Sequence, residues 1–430
     1  MTINLSVSKA PKLKIDTPLE QWLGAEKRSA WTFLQLYSIN ETHEYTHGIH
    51  PYPAKMVPQI ARELISKLSS RDETVLDPFC GSGTVLVESL IQGRLAIGVE
   101  INPLALLISK VATTPIEENR LRKGVERAFE RARLDLMEKR EDEDANKPVL
   151  AKIHNVYHWF KPEVASHLAI IRKVIRTEDD EDIRRMLEVV FSATMYKVSN
   201  IRHHDNPYFA RILHKDELAE HNPDVLKEFW TRLRKTQEAI SIFTATLSSR
   251  PNAELFQGDS RNLSSLINQK ADLIVTSPPY GEERNTMDYS RFARLALEWL
   301  DIPLNNSRLS LGAELKGANI LQLPSRTLQN KIADISSRSP QRAKDVLSFL
   351  EDYYMCIAEM YKVLRGNGYA CIVIGDRTAA KVCVPNGEIT AELGESVGFE
   401  KVEIIKRKMY LKALLSNVMK YENVVIMRKA

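Results

Sequence analysis

The chain has 430 residues, 43% hydrophobic and 27% charged, the balance of a globular protein of one large domain or two ordinary ones. No apolar run reaches the ~20 residues that span a bilayer, and the opening MTINLSVSKAPKLKID lacks the apolar core of an export signal, so no membrane partner and a cytoplasmic location are expected. Cys80, Cys356, Cys371 and Cys383 are too few and too scattered for a disulfide framework, and a net charge of +4 permits a polyanionic partner without requiring one.

In chain order, the first strand signals are TVLDPF (Thr74–Phe79) and LAIGVEI (Leu95–Ile101), with the helical pattern SGTVLVESLIQG between them. A long charged stretch of helical periodicity follows, roughly Glu117 to Arg250. A structureless loop of that size is implausible inside a domain, so an inserted helical subdomain is expected there. Further strand signals are AELFQGD (Ala253–Asp259), ADLIVTSPPY (Ala271–Tyr280), GYACIVIGD (Gly368–Asp376), KVEIIKRKM (Lys401–Met409) and ENVVIMRK (Glu422–Lys429). A polar insertion at about 305–342, rich in Ser, Asn, Gln and Arg, suits a mobile loop or a contact surface. Short apolar runs alternating with helices predict an α/β fold with a mostly parallel, doubly wound sheet. The implied organisation is 1–116, an arm and the first part of the main domain; 117–250, the helical insertion; and 251–430, the second part.

The segment DPFCGSGT, Asp77 to Thr84, follows a strand and opens a helix. Gly81 and Gly83 remove side chains where the backbone turns sharply and a ligand must come close. The next strand ends in GVEIN, which places Glu100 about 20 residues beyond, where an acid binds ribose hydroxyls. The loop lacks the third glycine of a dinucleotide site, since Leu86 stands there. At the end of another strand, TSPPY (Thr276–Tyr280) carries two prolines that fix φ and supply no N–H, one short hydroxyl, Ser277, and one aromatic face, Tyr280. Such a turn offers acceptors for an amino group and a ring for an extruded base.

Together DPFCGSGT, GVEIN and TSPPY resemble the motifs of the DNA amino-methyltransferases, the N4-cytosine and N6-adenine enzymes of restriction-modification systems. The resemblance implies a Rossmann-like methyltransferase fold of seven strands, S-adenosyl-L-methionine as cofactor, and double-stranded DNA with one base flipped out as partner, alongside a cognate restriction endonuclease. It assigns the cofactor to Asp77, Phe79, Cys80, Gly81, Gly83, Thr84, Glu100, Ile101, Asn102, Asp259, Ser260 and Thr276, with Glu100 at the ribose and Asp259 at the adenine amino group. HPYPAKMVPQIARELI, His50 to Ile65, resembles the motif that closes over the methionine end and adds Tyr52 and Lys55. Ser277, Pro278, Pro279 and Tyr280 are then the catalytic turn, and the serine form of the motif most often accompanies N4-cytosine enzymes. The implied transfer is direct, with no covalent enzyme intermediate.

The order of cofactor motif, insertion and TSPPY resembles the class that reads DNA with the region between the two motifs. There Arg202, His203, His204 and Tyr208 interleave basic and aromatic groups suited to phosphates and bases. Asp288, Tyr289 and Arg291, after TSPPY, are candidates for the wall around the flipped base, or for the start of an amphipathic helix with Leu297 and Trp299 as core. N6-adenine methylation, guanine-N2 methylation of RNA and a silent DNA-binding subunit remain as alternatives. C5-cytosine methylation needs a cysteine nucleophile, and no Pro-Cys loop accompanies TSPPY. His43, His47 and His50 have metal-like spacing, but no cysteine joins them and the chemistry calls for no metal.

Overall fold

The computed structural model describes residues 37, 39–138, 150, 152–202, 212–248, 253–281, 289–303, 311–312, 323–408 and 421–430. Its strands are β1 (Thr74–Asp77), β2 (Leu95–Glu100), β3 (Ala253–Gln257), β4 (Ala271–Thr276), β5 (Leu364–Gly375), β6 (Arg377–Ala379), β7 (Val382–Val384), β8 (Phe399–Lys408) and β9 (Tyr421–Lys429). Helices of at least eight residues are α1 (Pro58–Leu68), α2 (Thr84–Ile91), α3 (Pro103–Thr113), α4 (Glu118–Glu138), α5 (Pro162–Arg176), α6 (Glu181–Val198), α7 (Val225–Thr246), α8 (Tyr289–Leu300), α9 (Arg326–Arg338), α10 (Pro340–Val363) and α11 (Asn386–Val397).

The seven strands that the strand signals predict form one sheet, in the order β3-β2-β1-β4-β5-β9-β8. The pairs from β3 through β5 are parallel, and β9 joins β5 and β8 antiparallel. β1 is buried at every position, which explains why it reads as an unbroken apolar run ending in a polar residue. After β1 the chain builds outward through β2 and β3, then returns to place β4 on the other side of β1. That reversal makes the carboxyl ends of β1 and β4 the topological switch point, where doubly wound sheets bind ligands.

Local sequence explains the helix entries. Pro58 and Pro103 stand in the first turns of α1 and α3. Asn102 caps α3 by accepting from the Leu104 N–H at 3.0 Å, and Asp180 and Asp224 cap α6 and α7 in the same way.

The two stretches that the sequence sets apart pack as follows. The stretch 117–250 is helical, as its periodicity predicts. Leu121, Phe160, Phe191, Phe229 and Phe243 share one apolar core with Leu86 and Val87 of α2 and Leu104 of α3. The helices therefore thicken one face of the sheet, because α4 to α7 bury their stripes against α2 and α3 as well as each other. The polar stretch at 305–342 contains a helix where a loop or contact surface is expected. Ser325 caps α9, and its buried Leu328 and Ile335 recur at a helical interval that the surrounding polar residues obscure. Among the described residues no helix is long and apolar enough to cross a membrane.

Candidate active site

The switch point is built from two turns that meet. At the end of β1, Asp77 Oδ1 accepts from the Phe79 N–H at 3.0 Å and from Thr276 Oγ1, at the end of β4, at 2.6 Å. Asp77 is 3% exposed, and burial pushes its carboxyl up to about 7 against the pull of those two donors. Phe79 and Cys80 then turn the chain, with the Cys80 N–H on the Val99 carbonyl at 3.1 Å. The Cys80 thiol is buried and raised well above its ordinary range, so it is no nucleophile at neutral pH.

Gly81 and Gly83 have φ of +50° and +88°, the left-handed region that disfavours other residues. A Cβ on Gly83 would come within 3.0–3.3 Å of Ser109, whereas one on Gly81 would meet nothing closer than the Phe79 carbonyl at 3.9 Å. Thr84 is buried at the start of α2. Glu100, at the end of β2, accepts from the Asn102 N–H at 2.7 Å on one oxygen and from the Gly81 N–H at 2.9 Å on the other. Burial raises its pKa, opposed by N–H groups of Asn102, Gly81 and Ile101. Each carboxylate oxygen has a second lone pair, so acceptor capacity for a ribose diol remains. Open space beside Gly81, an adjacent carboxylate and a second buried acid suit a nucleoside that carries positive charge.

The upstream segment closes on this loop. Tyr52 is buried, and its hydroxyl accepts from Asn102 Nδ2 at 3.1 Å, tying the HPYPAK stretch to the end of β2. Lys55 is turned to the backbone: its ammonium donates to the His47 and His50 carbonyls at 2.7 and 3.0 Å, and burial lowers its pKa to about 8. It therefore pins the turn that carries Tyr52. His47 in turn pairs with the buried Glu88 of α2 at 2.9 Å, and Arg62 holds the other Glu88 oxygen at 2.8 Å.

Asp259 stands at the end of β3, in a cap and an ion pair. It caps the short helical turn Ser260–Asn262 through the Arg261 N–H at 2.9 Å, and the Arg261 guanidinium grips both its oxygens at 2.6–3.1 Å while reaching Asp352 at 2.9 Å. A carboxylate before a helical turn, with arginine two residues on, is drawn into the cap. Ser260 is buried and donates to the Pro78 carbonyl, binding the two loops together.

In the Ser-Pro-Pro-Tyr turn, Pro278 is buried while Ser277, Pro279 and Tyr280 are partly open. Ser277 Oγ and the Tyr280 hydroxyl lie 3.3 Å apart across the turn. Burial, with Glu422 nearby, raises the Tyr280 phenol, which therefore stays protonated. Two residues that sequence reasoning passes over complete the turn. Asn386 Nδ2 donates to the Tyr280 carbonyl at 3.2 Å, and Arg377 donates to the Gly281 carbonyl. Arg377 follows the strand-end pair Gly375-Asp376 and Asn386 sits in VPNGE, which reads only as a turn and a helix entry.

Of the residues expected to meet DNA, Arg202 is ion-paired with Glu217 at 3.1 Å. His203, His204, Tyr208 and Asp288 lie outside the described residues, as do the side chains of Tyr289 and Arg291, whose backbone belongs to the start of α8. The later part of α8 is core, as its pattern suggests: Leu297 and Trp299 are buried, and the Trp299 ring meets Phe160 and Phe191 edge-on at 5.8 Å.

The seven-stranded sheet, with a ligand-sized turn at its switch point, is Rossmann-like, the architecture that the resemblance to DNA amino-methyltransferases implies. A family model described as DNA methylase matches residues 3–110. The chain is 30% identical over 388 residues to the type II methyltransferase M.MvaI of Kocuria varians, covering 86% of this chain and 85% of that protein. It is 23% identical over 372 residues to the type II methyltransferase M.MjaII of Methanocaldococcus jannaschii, covering 66% and 67%. The chain belongs to the DNA methyltransferases of restriction-modification systems.

Proposed function

We propose that the protein transfers the methyl group to the exocyclic N4 amino group of a cytosine flipped out of double-stranded DNA, by direct attack at one recognition sequence. The observation that carries this reading is the Ser-Pro-Pro-Tyr turn at the switch point, joined to the cofactor loop by the Thr276–Asp77 hydrogen bond of 2.6 Å. S-adenosyl-L-methionine, when bound, supplies an electrophilic methyl group. Asp77, Phe79, Cys80, Gly81, Gly83, Thr84, Glu100, Ile101 and Asn102 form its loop, with Tyr52 and Lys55 shaping the entrance.

An exocyclic amine is a weak nucleophile because its lone pair is delocalised into the ring. Ser277 Oγ and the Pro278 carbonyl accept its two N–H bonds and favour a pyramidal nitrogen with the lone pair released. Pro279 keeps the turn rigid, and Tyr280 offers a ring for stacking. The residues contribute positioning and complementarity to developing charge, with no tuned base and no enzyme-bound intermediate. Region 117–250 serves target recognition in this reading, with Arg202, His203, His204 and Tyr208 toward the DNA and Asp288, Tyr289 and Arg291 at the flipped base.

The reading is tested by sequencing native plasmid DNA, with detection of modified bases, from cells that express the protein. One fixed sequence carrying N4-methylcytosine is expected. N6-methyladenine at a fixed site would overturn the choice of base while keeping the fold and cofactor assignments.

A further inference from the structure

The catalytic turn has few backbone donors with which to fix its place in the fold. Pro278 and Pro279 have no N–H, so the usual backbone bonds that close a loop are missing at its centre, and the turn can be anchored only through its carbonyls and side chains. Its exit is left-handed as well: Gly281 has φ +84°, and a Cβ there would lie 2.8 Å from Phe349 Cδ1 and against Arg377.

Two distant side chains supply the missing donors. Asn386 is 1% exposed, and its amide nitrogen bridges the carbonyls of Gly375, at the end of β5, and Tyr280, at 2.9 and 3.2 Å. Both partners are acceptors, which fixes the amide orientation: only the NH2 end can face them. Its Oδ1 is then buried with no donor among the described residues, an arrangement that costs stability. Arg377 is 6% exposed, donates to the Gly281 carbonyl and rests over the Phe349 ring at 5.3 Å. Arg377 opens the small β6–β7 hairpin, and Asn386 starts α11 two residues after the hairpin ends.

We infer that Asn386 and Arg377 are positioning residues for methyl transfer, which bracket the Ser-Pro-Pro-Tyr turn so that Ser277 and the Pro278 carbonyl meet the target amine in a fixed geometry. The inference rests on the assignment of that turn as the catalytic one. The two prolines stiffen the turn internally, but its placement against the rest of the fold depends on such outside donors. A misplacement on the order of 1 Å at a reacting centre lowers rates about a hundredfold, so a bracket that holds the turn acts on turnover more than on binding.

The test is single-turnover methylation of duplex DNA by the full-length protein, with rates normalised to cofactor-binding sites. Wild type is compared with Asn386→Leu, Asn386→Asp, Arg377→Met and Ser277→Ala. Asn386→Leu should lower the rate at least tenfold while cofactor and DNA dissociation constants stay within about twofold. Asn386→Asp should be equally slow at high pH and recover partly relative to wild type as pH falls, because a protonated carboxyl regains one O–H donor. A residue that merely supports α11 would lower thermal stability and leave the normalised rate and its pH profile unchanged, and that result would overturn the bracket. If Asn386→Leu does not fold, Arg377→Met carries the test, with a loss of at least threefold expected and a wild-type rate contradicting it. Should Ser277→Ala also turn over at the wild-type rate, the catalytic assignment of the turn itself falls, an outcome distinct from loss of the bracket alone.

Discussion

The two halves of the site are built on different length scales. On the cofactor side, Asp77, Gly81, Gly83, Glu100 and Asn102 lie within one strand-helix-strand unit, and the bonds that shape the loop inside that unit span few residues: Gly81 to Glu100 is 19 positions and Asn102 to Glu100 is 2. On the catalytic side the turn is short, but what holds it is remote. Thr276 bonds to Asp77 across 199 positions, Asn386 to Tyr280 across 106 and Arg377 to Gly281 across 96. A glycine loop encodes its own shape through φ and a helix start. A proline turn gives up its donors and borrows them from elsewhere in the fold.

The contrast predicts that damage on one side shows in affinity and on the other in rate. The largest effect is expected for Ser277→Ala, which removes one acceptor from the target amine. Single-turnover rate should fall roughly 100- to 1,000-fold, the scale of losing one preorganised hydrogen-bonding group, while calorimetry finds unchanged cofactor affinity. Glu100→Ala should do the converse. Losing hydrogen bonds to a charged group costs about 2 kcal/mol, or roughly 30-fold in cofactor affinity, with DNA affinity preserved; equal loss of both would signal misfolding.

Asp77 adds a pH dependence. Its carboxyl, raised to about 7, is protonated below that pH, where it no longer offers a negative charge to a sulfonium ligand. Cofactor affinity should therefore weaken by up to about tenfold per pH unit below 7, and Asp77→Asn should flatten that profile. Linkage gives the opposite sign for the unliganded protein. A carboxyl whose folded pKa is raised contributes stability that is complete below the ordinary carboxylate range and is lost as pH rises through about 7. Melting curves of the unliganded protein between pH 5 and about 7.5 should show that contribution shrinking in wild type and absent in Asp77→Asn. The smallest change is expected for Tyr52→Phe, which deletes the bond from Asn102. A loss of about 1 kcal/mol, roughly fivefold in cofactor affinity with little effect on rate, follows.

The same difference in length scale explains how much of the molecule was legible in sequence. The inner strands β1, β2, β4, β5 and β9 announce themselves as apolar runs, because central strands are buried on both faces, while the edge strands β3 and β8 show shorter apolar clusters among polar residues. Strand ends and the two glycines place the cofactor loop. The surroundings of Asp259 were not legible, since Asp352, which shares Arg261 with it, lies far along the chain. Nor was the merging of the 117–250 helices into the sheet-side core, because an amphipathic stripe shows that a partner exists and not which one. The α9 helix was hidden by a polar sequence with two buried residues, Leu328 and Ile335. Asn386 and Arg377 carry no local mark at all.

The most direct measurement is mass spectrometry of nucleosides from duplex DNA incubated with the purified protein and a cofactor carrying a deuterated methyl group. The account predicts the isotope in N4-methylcytosine, present with wild type and reduced at least a hundredfold with Ser277→Ala. Label in 5-methylcytosine, or undiminished N4-methylcytosine from the serine variant, would contradict it.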